Sequence, residues 1–514
     1  MNGAELLITT AETAGVDICF ANPGTTEMPL VNALDSATSM RAILCLFEGV
    51  CTEAADSYAR MRGTPALTLL HLGPGLGNGI ANLHNARRAR SPIVNIIGDH
   101  ASWHVAADPP HNMDIDGLAL TVSGWSGQVK GPDQISPQTA GAISAALRGQ
   151  VATLSIPSDY QEATIDDPQI APVQRSVAPV VVDDIESAAR LLRSAARPAL
   201  ILGGDALLRD QLLTVERIRA ACDCRLFAET FAGRAEGGVG LPIVERIPYF
   251  PEQALAALAD YDAFVLVNAR RPVAFFGYSG VPSYFIAEET ESVGIGGDGQ
   301  DTLQVLQALA DALDTPQHVA ASNGRLLRPE LPQGDLTPAT IGAVIAALQP
   351  ENAIIVNEGV SSGRGYEQLA RSTAPFTTLY ATGGAIGWGI PGALGAALAC
   401  PERPVICLEA DGSGMYNLQG LWTQAREGLN VTTLICSNRR YKILQTELAR
   451  AGIHEPGPVA DSLTDLGRPE IGWASLAQGM GVPATTVHRA EELANALQNA
   501  LVEPGPHLID MVMA

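Results

Sequence analysis

Three short stretches of this chain carry residue types that could do chemistry. In the first, the apolar run Ile43-Leu-Cys-Leu-Phe47 leads straight into Glu48. A carboxyl group at the end of an apolar strand is expected to be partly buried. Burial raises its pKa and favours proton exchange with a ligand. The same position equally suits an ordinary acid steadying a helix N-terminus. The second stretch holds His71, where Leu69-Leu70 breaks into the glycine loop Gly73-Pro-Gly-Leu-Gly-Asn78. A histidine there is either a structural group or a proton carrier. The third is Asp411-Gly-Ser-Gly414, which follows the apolar run Val405–Glu409 and is answered by Asn438 after Val431–Cys436. The two residues are 27 positions apart, close to one βαβ unit of about 30 residues. Asp411 and Asn438 would then lie side by side at the carboxyl edge of a parallel sheet. A carboxylate, an amide oxygen and a backbone carbonyl make an all-oxygen set suited to Mg²⁺. Gly412 and Ser413 can bring a backbone N–H and a hydroxyl to a diphosphate. A plain turn and a strand terminator would explain the same residues, and neither stretch is a Walker A loop or a dinucleotide glycine turn.

Apolar strand-like runs alternate with helix-like ones almost throughout, which predicts an α/β fold built on parallel sheets. The first block, about 1–166, carries strands at Val16–Phe20, Ala66–His71, Ile93–Gly98 and Ala152–Ile156. A turn-rich segment follows. The second block, about 180–315, opens on a helix from Ile185 and a strand entering Gly203-Gly204, with a further strand at Ala263–Asn268. A Pro-rich linker near Leu313–Gly334 leads to the third block, 336–514. Its strands are placed at Ala353–Asn357, Val405–Glu409, Val431–Ser437 and His507–Val512, with a helix over Tyr416–Glu427.

The chain has 514 residues, 46% hydrophobic and 17% charged, with a net charge of −23. It is long enough for about three globular domains. Its negative charge opposes phosphate backbones and anionic lipid, so nucleic-acid and membrane-surface binding are not expected. The uncharged run Ala381–Cys400 is rich in glycine and holds Pro391, so it is read as a buried loop and helix rather than a span. The eight cysteines show no metal spacing, and the N-terminus shows no signal peptide. Both point to a cytoplasmic protein with buried thiols.

Taken in order, these pieces resemble the thiamine-diphosphate-dependent 2-oxo-acid decarboxylase and acetolactate synthase superfamily over essentially the whole chain. Phe20-Ala-Asn-Pro-Gly24 resembles its opening turn, and Phe47-Glu48 its cofactor-activating glutamate. Gly73–Asn78 resembles its substrate-side glycine loop, Gly383-Gly-Ala-Ile-Gly387 its aminopyrimidine loop, and Asp411-Gly-Ser413 through Asn438 its metal–diphosphate motif. The resemblance implies three doubly wound domains: pyrimidine-binding, central and diphosphate-binding. It also implies thiamine diphosphate and Mg²⁺ bound between the first domain of one subunit and the third of another. A homodimer would be the minimum, and a homotetramer is common. By the same resemblance Glu48 would exchange a proton with the pyrimidine, Ile386 would be the wedge that bends the cofactor, and Gly384 would offer its backbone. Asp411, Asn438 and the carbonyl of Arg440 would hold Mg²⁺. Gly412, Ser413, Tyr441 and, with less support, Ser361 and Ser362 would reach the diphosphate, and Pro23 would line the cofactor site. Ala410 and Ser437 replace the usual Gly and Asn of the motif, and neither change removes a ligand.

Leu46-Phe-Glu-Gly-Val50 and Leu83–Ala89 are most similar to acetolactate-synthase-like chains, which implies cleavage of a small 2-oxo acid followed by carboligation. Asn22-Pro-Gly-Thr25 and His71 resemble benzoylformate decarboxylases, which implies substrate roles for Thr25 and His71 and release of an aldehyde. That branch takes a second histidine from its central domain, and Arg271–Tyr278 here has none. Acetolactate synthases also bind FAD centrally, for which Gly203-Gly204 is weak support. His100, His104 and His111 lie in a loop that could cover the site or stand in solvent. An inactive cofactor-binding partner subunit is the alternative from another class. A nicotinamide oxidoreductase lacks its fingerprint.

Overall fold

The alternation of apolar runs and helices does build parallel sheets. A computed structural model describes residues 1–297 and 299–513. The first block forms a six-stranded sheet from β1 (Ile18–Asn22), β2 (Arg41–Leu44), β3 (Ala66–His71), β4 (Ile93–Asp99), β5 (Trp125–Gln128) and β6 (Val151–Pro157). Their spatial order is β2-β1-β3-β4-β6-β5, with every pair parallel. Strands β4 and β6 are buried along their whole length, which is why they read as unbroken apolar runs. The edge strands β2 and β5 are shorter and partly exposed, and their patterns are correspondingly weak.

The central block contributes β7 (Pro198–Leu202), β8 (Arg225–Ala228), β9 (Arg234–Gly237), β10 (Glu245–Arg246), β11 (Ala263–Val267) and β12 (Glu291–Ile295). Five of these make a parallel sheet in the order β10-β8-β7-β11-β12. The third block supplies β13 (Ala353–Glu358), β14 (Phe376–Tyr380), β15 (Val405–Ala410), β16 (Val431–Ser437), β17 (Ala484–Val487) and β18 (His507–Val512). Here the parallel order β17-β18-β16-β15-β13 carries the site residues.

Three sheets with interleaved helices therefore match the expected fold class, but they gather into two compact units. The larger contains Met1–Arg175, Pro329–Leu369 and the chain from Ala381 onward, so the first and third blocks fold together. The smaller contains Ser176–Arg328 with Ala370–Tyr380. Segment 370–380 falls outside the block to which its position assigned it because β14 pairs antiparallel with β9.

Within the larger unit the two blocks meet through helices Glu48–Arg62 and Gly389–Ala399. Glycines set the distance: a Cβ on Gly395 would lie 2.1 Å from the Ala54 carbonyl oxygen, and one on Gly392 3.0 Å from Ser57 Oγ. Helix Glu48–Arg62 is buried along almost its whole length, charged residues included. Asp56 is fully buried and paired with Arg60, whose Nε donates to Asp56 Oδ1 at 2.8 Å. A pair this dry needs such partners, since breaking one costs about 3–5 kcal/mol. The uncharged run Ala381–Cys400 resolves into a loop and an eleven-residue buried helix. Among the described residues no helix is long and apolar enough to cross a membrane.

Candidate cofactor and active site

Glu48 does not close the preceding strand. Strand β2 ends at Leu44, and Glu48 opens the helix Glu48–Arg62 after an extended Phe47. It is 9% exposed. Asn78 Nδ2 donates to its Oε2 at 3.0 Å. Around Oε1 the space is kept by Gly75, whose absent Cβ would sit 3.3 Å away. This contact explains a second departure: Gly73–Asn78 is no loop but the first turns of the helix Leu72–Ala89. Its glycines serve close packing against the Glu48 helix, as Gly79 does against Thr52, where a Cβ would lie 2.8 Å from Cγ2.

His71 ends β3 and is held by a residue the sequence reading passed over. Glu27 is fully buried. Its Oε2 lies 2.8 Å from His71 Nδ1 and accepts the Gly24 N–H at 2.7 Å, while Oε1 accepts the Thr26 hydroxyl at 2.7 Å. Two bare backbones make room for this group. A Cβ on Gly98 would lie 2.0 Å from Glu27 Oε1, and one on Gly24 2.3 Å from His71 Nδ1. A hydrogen on Nδ1 would let the Glu27 carboxyl accept from the ring. Thr25 is exposed at the start of the short turn Thr25–Glu27, with Pro23 just before it. It is Thr26, 3.3 Å from His71 Nδ1, that reaches the histidine. Of the three loop histidines, His111 packs its ring 5.5 Å from that of His71, while His100 and His104 pair with each other at 6.0 Å.

At the edge of the C-terminal sheet, β15 and β16 run parallel with Ala410 opposite Cys436. Asp411 and the segment from Asn438 to Arg440 are thereby neighbours, as their spacing implied. Asp411 Oδ2 accepts the Arg439 N–H at 2.6 Å and Oδ1 accepts the Gly412 N–H at 2.9 Å. Burial pushes Asp411 up to about 6 against the pull of these donors. Asn438 Oδ1 takes the Arg440 N–H at 2.9 Å, and the Arg440 carbonyl takes that of Lys442 at 2.9 Å. Each oxygen retains a second lone pair. A buried carboxylate beside an amide oxygen and a carbonyl fits a hard dication, which would favour the ionised form of Asp411 against the effect of burial. Among the described residues no cluster of three His, Cys, Asp or Glu side chains offers another metal site. Gly412 lies against the ring of Tyr441, where a Cβ would be 2.4 Å from Cε1. Ser413 is buried, and Ser361 is half-buried in the turn after β13.

The loop Gly383–Gly387 is fixed from three sides. Asn85 Oδ1 accepts the N–H groups of Gly383 and Ala385 at 3.2 Å each, and its Nδ2 donates to the Ala385 carbonyl at 2.9 Å. Asn417 Nδ2 donates to the Gly387 carbonyl at 2.6 Å. Glu358 accepts the N–H groups of Gly387 and Gly389. Gly384 is exposed with φ +77°, and Ile386 is half-buried. Glu358 and its neighbour Glu409 are buried and hydrogen-bonded to each other, and burial raises both carboxyls. Close contacts also join the N-terminal and C-terminal sheets within the chain. A Cβ on Gly387 would lie 3.2 Å from the Ser413 carbonyl oxygen, and one on Gly49 2.6 Å from Asn417 Oδ1.

The central sheet offers a contrast. Its switch point lies after β7, at Gly203-Gly204, yet the space is filled. A Cβ on Gly203 would be 2.7 Å from Glu229 Oε2, and one on Gly204 2.7 Å from Asn268 Nδ2. A carboxylate there opposes a dinucleotide's diphosphate, and the FAD expectation gains no support. Arg271–Tyr278 joins an aromatic cluster instead, with Phe275 5.4 Å from Phe231 and 4.7 Å from Phe276.

Comparison with known proteins agrees with this geometry. Residues 1–120 match the thiamine pyrophosphate enzyme N-terminal TPP binding domain, and residues 362–511 match the C-terminal TPP binding domain. A Mycobacterium tuberculosis protein provisionally named acetolactate synthase large subunit IlvX is 48% identical over 100% of this chain and 99% of its own. Benzoylformate decarboxylase of Pseudomonas aeruginosa is 29% identical over 97% and 96%. A solved thiamine diphosphate-dependent 4-hydroxybenzoylformate decarboxylase from Rhodococcus jostii RHA1 superposes with a TM-score of 0.87 over 99% of this chain and 98% of its own, at 24% identity, and shares the fold. The chain belongs to the thiamine-diphosphate-dependent enzyme family that includes the acetolactate synthases and benzoylformate decarboxylases.

Proposed function

We propose that the protein uses thiamine diphosphate and Mg²⁺ to cleave a small 2-oxo acid beside its carbonyl, releasing CO₂ and passing the acyl fragment to a second carbonyl, as an acetolactate synthase does. The observation that carries this is Glu48, nearly buried at a helix start with one carboxyl oxygen held by Asn78. The bound cofactor supplies the electron sink for the carbon left by CO₂. Glu48 Oε1 exchanges a proton with the pyrimidine, and Asn78 holds the other carboxyl oxygen, Oε2. Gly384 offers its backbone, Ile386 its apolar side chain, and Pro23 lines the ring. Asp411, Asn438 and the Arg440 carbonyl hold the metal. Gly412, Ser413, Tyr441 and Ser361 meet the diphosphate. The apolar surroundings favour loss of a carboxylate over retention of its charge.

On this reading residues 1–166 bind the pyrimidine, 180–315 form the central domain and 336–514 bind the diphosphate. A homodimer is the working unit, with a homotetramer as the larger assembly. Eight cysteines without a disulfide suit a cytoplasmic protein. A second reading has its own observation. The Glu27–His71 pair, with His111 against it, could serve a decarboxylase as its proton donor. That favours protonation and release of an aldehyde, as in benzoylformate decarboxylases.

A proton NMR time course separates these outcomes. Protein with thiamine diphosphate and Mg²⁺ receives pyruvate in one tube and benzoylformate in another. Acetolactate from pyruvate supports the synthase reading, and free aldehyde from either acid the decarboxylase reading. Bound cofactor with no product across a panel of 2-oxo acids would favour an inactive partner subunit.

A further inference from the structure

The glycine loop is anchored from below by a carboxyl group with no part in the roles above. Glu358 ends β13 and is 4% exposed. Its Oε1 accepts the Gly387 N–H at 2.8 Å, its Oε2 accepts the Gly389 N–H at 2.7 Å, and the Trp388 N–H bonds to it as well. These three consecutive amides lead from the loop into the first residue of the helix Gly389–Ala399. A helix start needs acceptors, and Trp388, the residue before this one, supplies no side-chain cap. The cap is delivered from a different strand. Glu409, at the end of β15, hydrogen-bonds to Glu358 and accepts the Ala410 N–H at 3.0 Å. Only a glycine at 389 admits both carboxyls, since a Cβ would sit 2.3 Å from Glu409 Oε2 and 3.2 Å from Glu358 Cβ. Gly387 is left-handed at φ +88°, a backbone conformation that glycine adopts without strain.

We propose that Glu358 is the positioning residue of the cofactor loop: by capping the amides of residues 387–389 from β13, it fixes the backbone on which Gly384 and Ile386 are presented. Glu409 is its hydrogen-bond partner and takes the next amide along, that of Ile390, while the amides of residues 387–389 go to Glu358. The proposal rests on the reading of Gly384 and Ile386 as cofactor-contacting residues.

The test uses the full-length protein and three variants: Glu358→Gln, Glu358→Asp and Glu409→Gln. Amide hydrogen exchange is followed without cofactor on the peptide covering residues 384–390. Thiamine diphosphate is then titrated with Mg²⁺ present, and substrate kinetics are run at saturating cofactor. E358Q is expected to melt cooperatively and to exchange about tenfold faster in that peptide, with the helix Glu48–Arg62 unchanged. Its cofactor midpoint is expected to weaken by about tenfold, and kcat to fall with KM for the 2-oxo acid held. E358D is expected to recover part of both effects, and E409Q, which leaves the amides of residues 387–389 capped, to show a clearly smaller loss than E358Q. Wild-type exchange in E358Q would overturn the proposal, as would faster exchange with an unmoved cofactor midpoint. Should E358Q fail to fold, E409Q and E358D decide: equal loss in both contradicts a cap specific to Glu358. If the wild type takes up no thiamine diphosphate, the cofactor reading fails, while the exchange data still decide the cap.

Discussion

The N-terminal and C-terminal sheets of the larger unit both end their strands at a carboxyl edge, yet they equip it differently. On the proposed function the N-terminal edge carries the groups that would move protons: Glu48 held by Asn78, and His71 held by Glu27. The C-terminal edge carries oxygen ligands and a fixed backbone: Asp411, Asn438 and a loop held by Asn85, Asn417 and Glu358. The central sheet has the same kind of switch point but closes it with Glu229 and Asn268. One architecture thus supports proton transfer, cofactor holding or neither, depending on which few side chains reach the edge.

The largest effect should come from removing the holding side. Asp411→Ala is expected to abolish cofactor-dependent turnover. It should also remove the thermal stabilisation that thiamine diphosphate and Mg²⁺ give the wild type, about 2.7 kcal/mol at a hundred times Kd. Differential scanning fluorimetry with and without both ligands checks this. An unchanged shift would place the metal elsewhere.

On the proton side, Glu27→Gln should lower turnover about tenfold to a hundredfold while leaving the cofactor titration unmoved. A loss of cofactor affinity instead would make Glu27 a structural group of the opening turn.

On both sides pH acts on the cofactor-free protein in the same direction. Burial raises Glu53, Glu358 and Glu409, with Glu358 at about 7. The folded state therefore holds more protons than the unfolded one between about pH 4.3 and pH 7. Its stability should rise as pH falls from 8 through 7 to about 6, which is opposite to ordinary acid denaturation. Melting curves across that range check the sign, and a melting temperature falling steadily from pH 8 would contradict it.

The smallest effect belongs to the closed central turn. Gly204 has φ +47°, so Gly204→Ala should cost about 1 kcal/mol of stability and leave cofactor binding and turnover as they are.

Local spacing made part of this site legible. Asp411 and Asn438 are one βαβ unit apart, and that unit folds as its spacing predicts. The contacts that tune the site were not legible, because they join residues distant along the chain. Glu27 meets His71 across 44 residues, and Glu358 meets Gly387 across 29. Nothing in Gly24-Thr-Thr-Glu27 announces a buried acid, since the room for it comes from Gly98 on another strand. Gly73–Asn78 read as a loop because glycine and proline disfavour helices in isolation, and tertiary packing overrides that preference here. Segment 370–380 changed units because an antiparallel partner, β9, lies far upstream.

The central claim is that Glu48 supplies the proton exchange on which turnover depends. The direct test measures CO₂ release from a good 2-oxo acid substrate by wild type and Glu48→Gln at saturating thiamine diphosphate and Mg²⁺. A fall of about 10²–10⁴-fold in E48Q, with the cofactor still bound, is the predicted result. Turnover by E48Q at the wild-type rate would contradict the account.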